Sequence, residues 1–169
     1  GKTIVEQWDA SDPSVPGTVT AYLESDGSGN GTYKLTLAGN GYGKIYANPD
    51  SYNAFSYFQK MTALNGLVSN NGSAFLDTSK VTTMSCMFNY DSKLLDLDVS
   101  KFDTSKVTDF SYMFQGCSDM SAVDVSNFST GKATTFEAMF AYCNDLITVD
   151  VSDWSTSNVQ KLNRMFDQC

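Results

Sequence analysis

The dipeptide Met-Phe returns along this chain at a fixed interval, as Met87-Phe88, Met113-Phe114, Met139-Phe140 and Met165-Phe166, each 26 residues after the last. The same step carries Leu76 to Phe102, Phe128 and Trp154, and Asp98 to Asp124 and Asp150. Four matches at one period with no insertion restrict the chain to a repeat architecture in which each unit leans on its neighbours. A single unit offers about seven apolar side chains to a core, too few to offset the entropy of ordering its backbone. Stacking is therefore a condition of folding.

Within one unit, Phe102 to Asn127, the hydrophobic period changes. Val107, Phe110, Met113, Phe114 and Cys117 fall on one helical stripe, with Thr104 or Ser105 placed to cap its start. Val123 and Val125 then alternate with Asp124, which predicts a strand of about three residues with its aspartate outward. The fold class expected is an α/β repeat solenoid, a leucine-rich-repeat-like stack of short parallel strands and helices. Ahead of it, Val19–Leu23 and Tyr33–Leu37 alternate with period two around the Gly/Ser/Asn-rich stretch 25–32, which predicts a β-hairpin cap. The Pro-rich stretch Asp12–Gly17 reads as a loop, and Lys44–Ala47 as a further short strand. Asp50 or Ser51 would start a helix whose Phe58 precedes Leu64 and Leu67 as Phe88 precedes Leu94 and Leu97. The organisation expected is a cap over 1–49, a degenerate capping repeat over 50–74 and the array over 75–169. The step from Phe58 to Phe88 is 30, so four extra residues are expected near Asn70–Ser73. Gly1 stands in place of an initiator Met and the chain stops at Cys169 part-way through a unit, so it reads as a fragment of a longer array.

Net charge narrows the function classes. At −8, with a pI near 4.3, the chain lacks the basic stripe that nucleic acid or an anionic membrane surface requires, and no run is long enough to insert in a membrane. It contains no histidine, which removes the usual triads, His-ligated metals and the commonest general base.

The unit LDVSxFDTSKVTxMxxMFxxCxxL, carried by Phe102–Thr108, Met113-Phe114, Cys117 and Asp124–Ser126, resembles the 26-residue repeat of bacterial surface proteins. These are relatives of the BspA-like leucine-rich repeats, also found in mycoplasma lipoproteins. The stretch from Trp8-Asp9 to Gly39–Gly41 is similar to the cap preceding such arrays. The resemblance implies a secreted, cell-wall-anchored or lipid-anchored protein of a Gram-positive bacterium or mollicute, acting outside the cell in adhesion or protein recognition. It supplies no catalytic residue and no cofactor. Three departures stand out: Asp91 in place of Cys, Gly131 in place of Ser and Ala133 in place of Val, the first two expected at a turn or rim.

Candidate sites come in ladders. Cys117, Cys143 and Cys169 fall on the inner stripe of helices whose axes would lie roughly 8 to 10 Å apart, beyond disulfide reach, so buried free thiols are expected. Asp98, Asp124 and Asp150 would point outward at strand spacing, where hydrogen-bond donors, a calcium ion or a basic partner must offset their repulsion. Lys80, Lys106 and Lys132 read as solvated or paired with Asp77 and Asp103. Tyr90 and Tyr142 share a register with Gly116 and Gln168, with Tyr112 close by, and suit either a recognition surface or rim packing. Paired carboxylates such as Asp96 and Asp98 suggest glycosidase chemistry only weakly, because a flat ladder has no cleft. Positions where the repeat varies are Asp96, Ala122 and Thr148 on the strands and Lys101, Asn127 and Asp153 at the following turn, and these are the expected contacts to a partner. The function expected is a non-enzymatic cell-surface binding or adhesion module for a protein or glycan, with a structural stalk as the alternative and a carbohydrate-active enzyme or lectin behind it. Met165 and Phe166 lack a following unit, so an apolar edge open to self-association is expected at the C-terminal end.

Overall fold

A computed structural model describes residues 4–9, 19–39, 45–67 and 76–169, with side chains over 23–38, 45–67 and 76–169. The Pro-rich stretch 12–17 and the loop at 70–73 lie outside them. Three N-terminal strands, β1 (Ile4–Asp9), β2 (Val19–Ser25) and β3 (Tyr33–Gly39), pair antiparallel in sequence order. β3 then turns parallel, pairing with β5 (Met61–Asn65), which pairs in turn with β7 (Asp96–Leu97). Alongside, β4 (Ile45–Tyr46) pairs parallel with β6 (Leu76–Asp77). The hairpin thus joins its sheet edge to the first turns of the repeat region, through Leu35 opposite Leu64 and Leu64 opposite Leu97.

Among the described residues there is no α-helix. The expected helical stripe is a ribbon of consecutive turns that hydrogen-bonds to its neighbours. We number the coils from their first residues: coil 1 from Ile45, coil 2 from Leu76, coil 3 from Phe102, coil 4 from Phe128 and coil 5 from Trp154. In coil 2 the N–H groups of Met84, Cys86, Phe88 and Tyr90 donate to the carbonyls of Asp109, Ser111, Met113 and Gln115 in coil 3, at 2.7–3.0 Å. The residues between fold back locally, Met87 N–H onto Met84 O and Asn89 N–H onto Cys86 O. Coil 3 donates to coil 4 in the same way from Phe110, Tyr112, Phe114 and Gly116, and coil 4 to coil 5 from Phe136, Ala138, Phe140 and Tyr142.

This pattern needs a left-handed residue every fourth position. Asn53 and Tyr57, Cys86 and Tyr90, Tyr112 and Gly116, Ala138 and Tyr142, and Arg164 and Gln168 all have φ between +50° and +74°. A right-handed helix cannot pass through such a residue. The spacing of three and four that suggests a helix is equally the spacing of side chains on a row of turns, and it marks the buried face correctly. Thr104 does not cap a helix either. Its Oγ1 donates to Ser129 O at 3.3 Å and accepts from Ser129 N–H at 2.7 Å, as Thr78 does with Asp103 and Thr130 with Ser155. The Val123–Val125 strand shrinks to the single bridge Ala122–Thr148, one residue earlier than expected.

The core runs the length of the stack. Phe55, Phe88, Phe114, Phe140 and Phe166 lie face over face, with successive ring centroids 5.7, 5.6, 5.4 and 5.4 Å apart. Met87, Met113 and Met139 are fully buried beside them. Aromatic pairs of this kind each contribute roughly 0.5–1.5 kcal/mol beyond the area they bury. Because Phe55 stacks on Phe88, and Leu64 pairs with Leu97, the first step is 33 residues rather than 30. The extra length lies between Leu64 and Leu76, a step of twelve where the next coil steps five from Leu97 to Phe102. At the other end Phe166 is 43% exposed, Leu162 is 47% exposed and Met165 is half-buried.

Candidate functional site

The repeated side chains are largely consumed by the stack. Cys117, Cys143 and Cys169 are free thiols, each donating through Sγ to the carbonyl 29 residues back, Phe88, Phe114 and Phe140, at 3.1 Å. The coils are not helices 8 to 10 Å apart but hydrogen-bonded neighbours at strand spacing, roughly 4.8 Å, so distance alone does not exclude disulfides. What keeps the thiols apart is their commitment to carbonyls. Burial raises all three, Cys143 to about 12, so they are poor nucleophiles. Cys86, at a left-handed position off this ladder, is half-buried and also raised by burial.

Asp98, Asp124 and Asp150 are exposed and each turns Oδ1 back onto the backbone two residues on. Ser100, Ser126 and Ser152 N–H donate to them at 2.9, 3.1 and 2.9 Å. Bonds from Ser126 hold Asp124, and bonds from Ser152 hold Asp150, below the usual carboxylate range. Among the described residues no group of three or more Cys, Asp or Glu is arranged to hold a metal ion. Lys80 lies over the Tyr46 ring at 5.5 Å from its centroid, while Lys106 helps hold Asp103 low behind the stronger bonds from Ser105.

The expected strand-face residues are exposed, and two of them are paired. Asp96 in β7, Ala122 and Thr148 are all exposed at successive levels, Ala122 bridged to Thr148, and Lys101, Asn127 and Asp153 follow at the exposed turn beyond. The tyrosines are not part of that face. Tyr90 stacks on Tyr57 with centroids 5.5 Å apart, and it leans over the bare Gly116. Tyr112 is half-buried and hydrogen-bonded to Glu137, and the Tyr142 hydroxyl accepts from Arg164 at 3.5 Å. All three thus have packing or hydrogen-bonding neighbours, and Tyr90 remains 39% exposed.

Sequence reasoning missed a concave feature among the described residues. A groove of about 490 Å³ opens between the hairpin loop and the coils, lined by Asp26, Ser28, Asn30, Thr32, Gln59, Lys60, Thr62, Lys93, Leu95 and Asp119. One wall is the loop 26–32, whose Gly27, Gly29 and Gly31 have φ of +82°, +76° and +72°. Asp26 organises it, accepting from Ser28 N–H at 2.9 Å and from the Thr32 hydroxyl, and these bonds hold its carboxyl below the ordinary range. The wall is docked by Thr62 Oγ1, which donates to Tyr33 O at 3.1 Å, and by Tyr33 N–H on Lys60 O at 2.9 Å. Opposite it, Lys93 pairs with Asp119 at 2.9 Å, and Leu95 is 57% exposed. An ion pair that open to water contributes little to stability, so its cost of disruption by a ligand is also small. Acid, base, amide, hydroxyl and one aliphatic side chain together suit a polar, roughly neutral partner. The one sequence signal was the departure at the register of Leu95, Ser121 and Ile147, where a large apolar residue stands exposed in two coils.

A family model described as a Mycoplasma protein of unknown function, DUF285, matches residues 52–169. The chain belongs to the DUF285 family. Its match begins inside coil 1 and covers coils 2 to 5, so the DUF285 unit is the coil stack, and the hairpin stands before it. No curated protein and no solved structure matches the chain.

Proposed function

We propose that this DUF285 chain is a non-enzymatic binding module of a bacterial surface protein, a solenoid of helix-free coils related to the BspA-like repeats and displayed outside the cell. Its partner, a protein or a glycan, lies in the groove at the hairpin and extends along the exposed face at Asp96, Ala122 and Thr148. The observation carrying this reading is the groove itself, where non-repeating residues from the loop, coil 1, coil 2 and coil 3 meet. Open, polar grooves with preorganised walls bind without needing reactive groups. No His is present to act as a base, and Asp26 is held ionised by its loop. A stalk is the second reading, favoured by the unbroken backbone ladder through the coils.

The test is capture from host extracellular-matrix extracts and a glycan array with the 169-residue chain, compared with Leu95→Asp and Lys93→Ala/Asp119→Ala. Loss of at least tenfold in apparent affinity at an unchanged melting temperature supports the groove. Saturable binding untouched by these substitutions contradicts it, and no saturable binding to any array or extract component leaves the stalk.

A further inference from the structure

Asp91 occupies the ladder position that Cys117, Cys143 and Cys169 hold in the next three coils. It is not on a rim: its relative exposure is 0%. At this position each thiol makes two bonds. Sγ donates to a carbonyl, Phe88 O for Cys117, and accepts from the N–H one coil back, which is Asp91 for Cys117, Cys117 for Cys143 and Cys143 for Cys169. Asp91 reproduces the accepting half, with Phe58 N–H donating to Oδ1 at 2.7 Å. Its Oδ2 is buried and has no partner. The carbonyl that corresponds to Phe88 one coil back is Phe55, by the same 33-residue step that stacks their rings. A carboxylate can only accept, whereas a carboxylic acid can both accept and donate, as the thiol does.

We propose that Asp91 is held as the neutral carboxylic acid in the folded protein, donating through Oδ2 toward the Phe55 carbonyl, and that its ionisation loosens the joint between coil 1 and the rest of the stack. Two titratable groups sense its charge, Tyr33 on β3 and Cys117 in coil 3, and both are themselves pushed up by burial and neutral near pH 7. Among the described residues no cation pairs with it. Burial lifts the Asp91 carboxyl from 3.8 to about 7, opposed only by the bond from Phe58. The sign follows from a folded value raised above the unfolded one. The folded state binds the proton more tightly, so this group's contribution is fully present below pH 3.8 and is lost as pH rises through about 7. The joint at stake is the one that fastens the hairpin sheet, since Phe58 leads directly into β5.

The experiment follows the Asp91 side-chain carboxyl carbon by NMR in the full 169-residue chain, assigned by its loss in Asp91→Asn. The amide supplies the same donor and acceptor without a titrating proton. Asp91 should stay protonated at pH 5, where Asp124 and Asp150 are already ionised, and titrate near 7. Urea unfolding should show the folding constant of wild type falling relative to Asp91→Asn by up to about tenfold per pH unit between pH 4 and 7. Hydrogen-exchange protection of Phe58 N–H, corrected for intrinsic rate, should fall over the same interval in wild type alone. An Asp91 carbon that is ionised at pH 5 would overturn the proposal on wild type by itself, whether or not the variant folds. So would a variant that keeps the full pH slope.

Discussion

Left-handed residues are where this chain's composition meets its backbone. A non-glycine residue at φ near +60° costs roughly 1–2 kcal/mol, and the stack holds nine of them among its described residues, including Ala138, Tyr112 and Arg164. Each cross-coil N–H bond they permit offsets part of that cost. Gly116 is the one glycine in the ribbon series, and its absent Cβ is used: a Cβ there would lie 2.7 Å from the Tyr90 ring. Gly116→Ala is therefore expected to destabilise the protein by about 1–3 kcal/mol, from the left-handed backbone and the displaced ring together. In a Tyr90→Ala background the ring clash is gone, and the penalty should shrink to the backbone part. Urea titration of the four proteins measures this; equal penalties in both backgrounds would refute the contact. From sequence alone the register of Tyr90, Gly116 and Tyr142 is legible, but its meaning is not. Tyr is no signature of a left-handed position, and only the cross-coil bonds reveal why the position exists.

Elements were legible in proportion to how local their cause is. Alternation and a glycine-rich loop mark β2 and β3, because both signals act within a few residues. The helix expected over 107–117 fails for the opposite reason. Period three-to-four burial is shared by a helix and by a row of turns, and what decides between them is a bond to a residue 25 positions away. Thr104 shows the same error at one side chain. A helix cap bonds to its own first turn, whereas Thr104 binds both the N–H and the carbonyl of Ser129 in the next coil. Thr104→Val keeps the shape of a buried side chain and removes both of its bonds to the backbone of the exposed Ser129, for an expected loss of roughly 1–3 kcal/mol. Thermal or urea unfolding checks it, with amide exchange at Ser129 rising most. An effect confined to residues 105–108 would instead restore the capping account.

At the scale of the whole molecule, the alternate peptide groups of the ribbon, 84–90, 110–116 and 136–142, point one way, while Thr82, Thr108, Thr134 and Gln160 outside it donate the other way, each to the coil before. Within the ribbon these carbonyls face the hairpin end and these N–H groups face the C-terminal end, which makes Leu162, Arg164, Phe166 and Gln168 the last donors of the series described. The period of 26, the stacking and the inward Met-Phe were legible because they depend on identity between units. The 33-residue first step, the groove and Asp91 were not, because each arises where one unit differs from the rest. By sequence Asp91 reads as a departure tolerated at a turn or rim, whereas it is fully buried. The central claim is that the apolar stripe is a ribbon of turns hydrogen-bonded from coil to coil, and scalar coupling across hydrogen bonds reads this directly. In a spectrum correlating amide nitrogens with carbonyl carbons through such bonds, Phe88 N should couple to Met113 C′, Phe114 N to Met139 C′ and Phe140 N to Met165 C′. Coupling of Phe114 N to Phe110 C′, four residues back as in a helix, would contradict it.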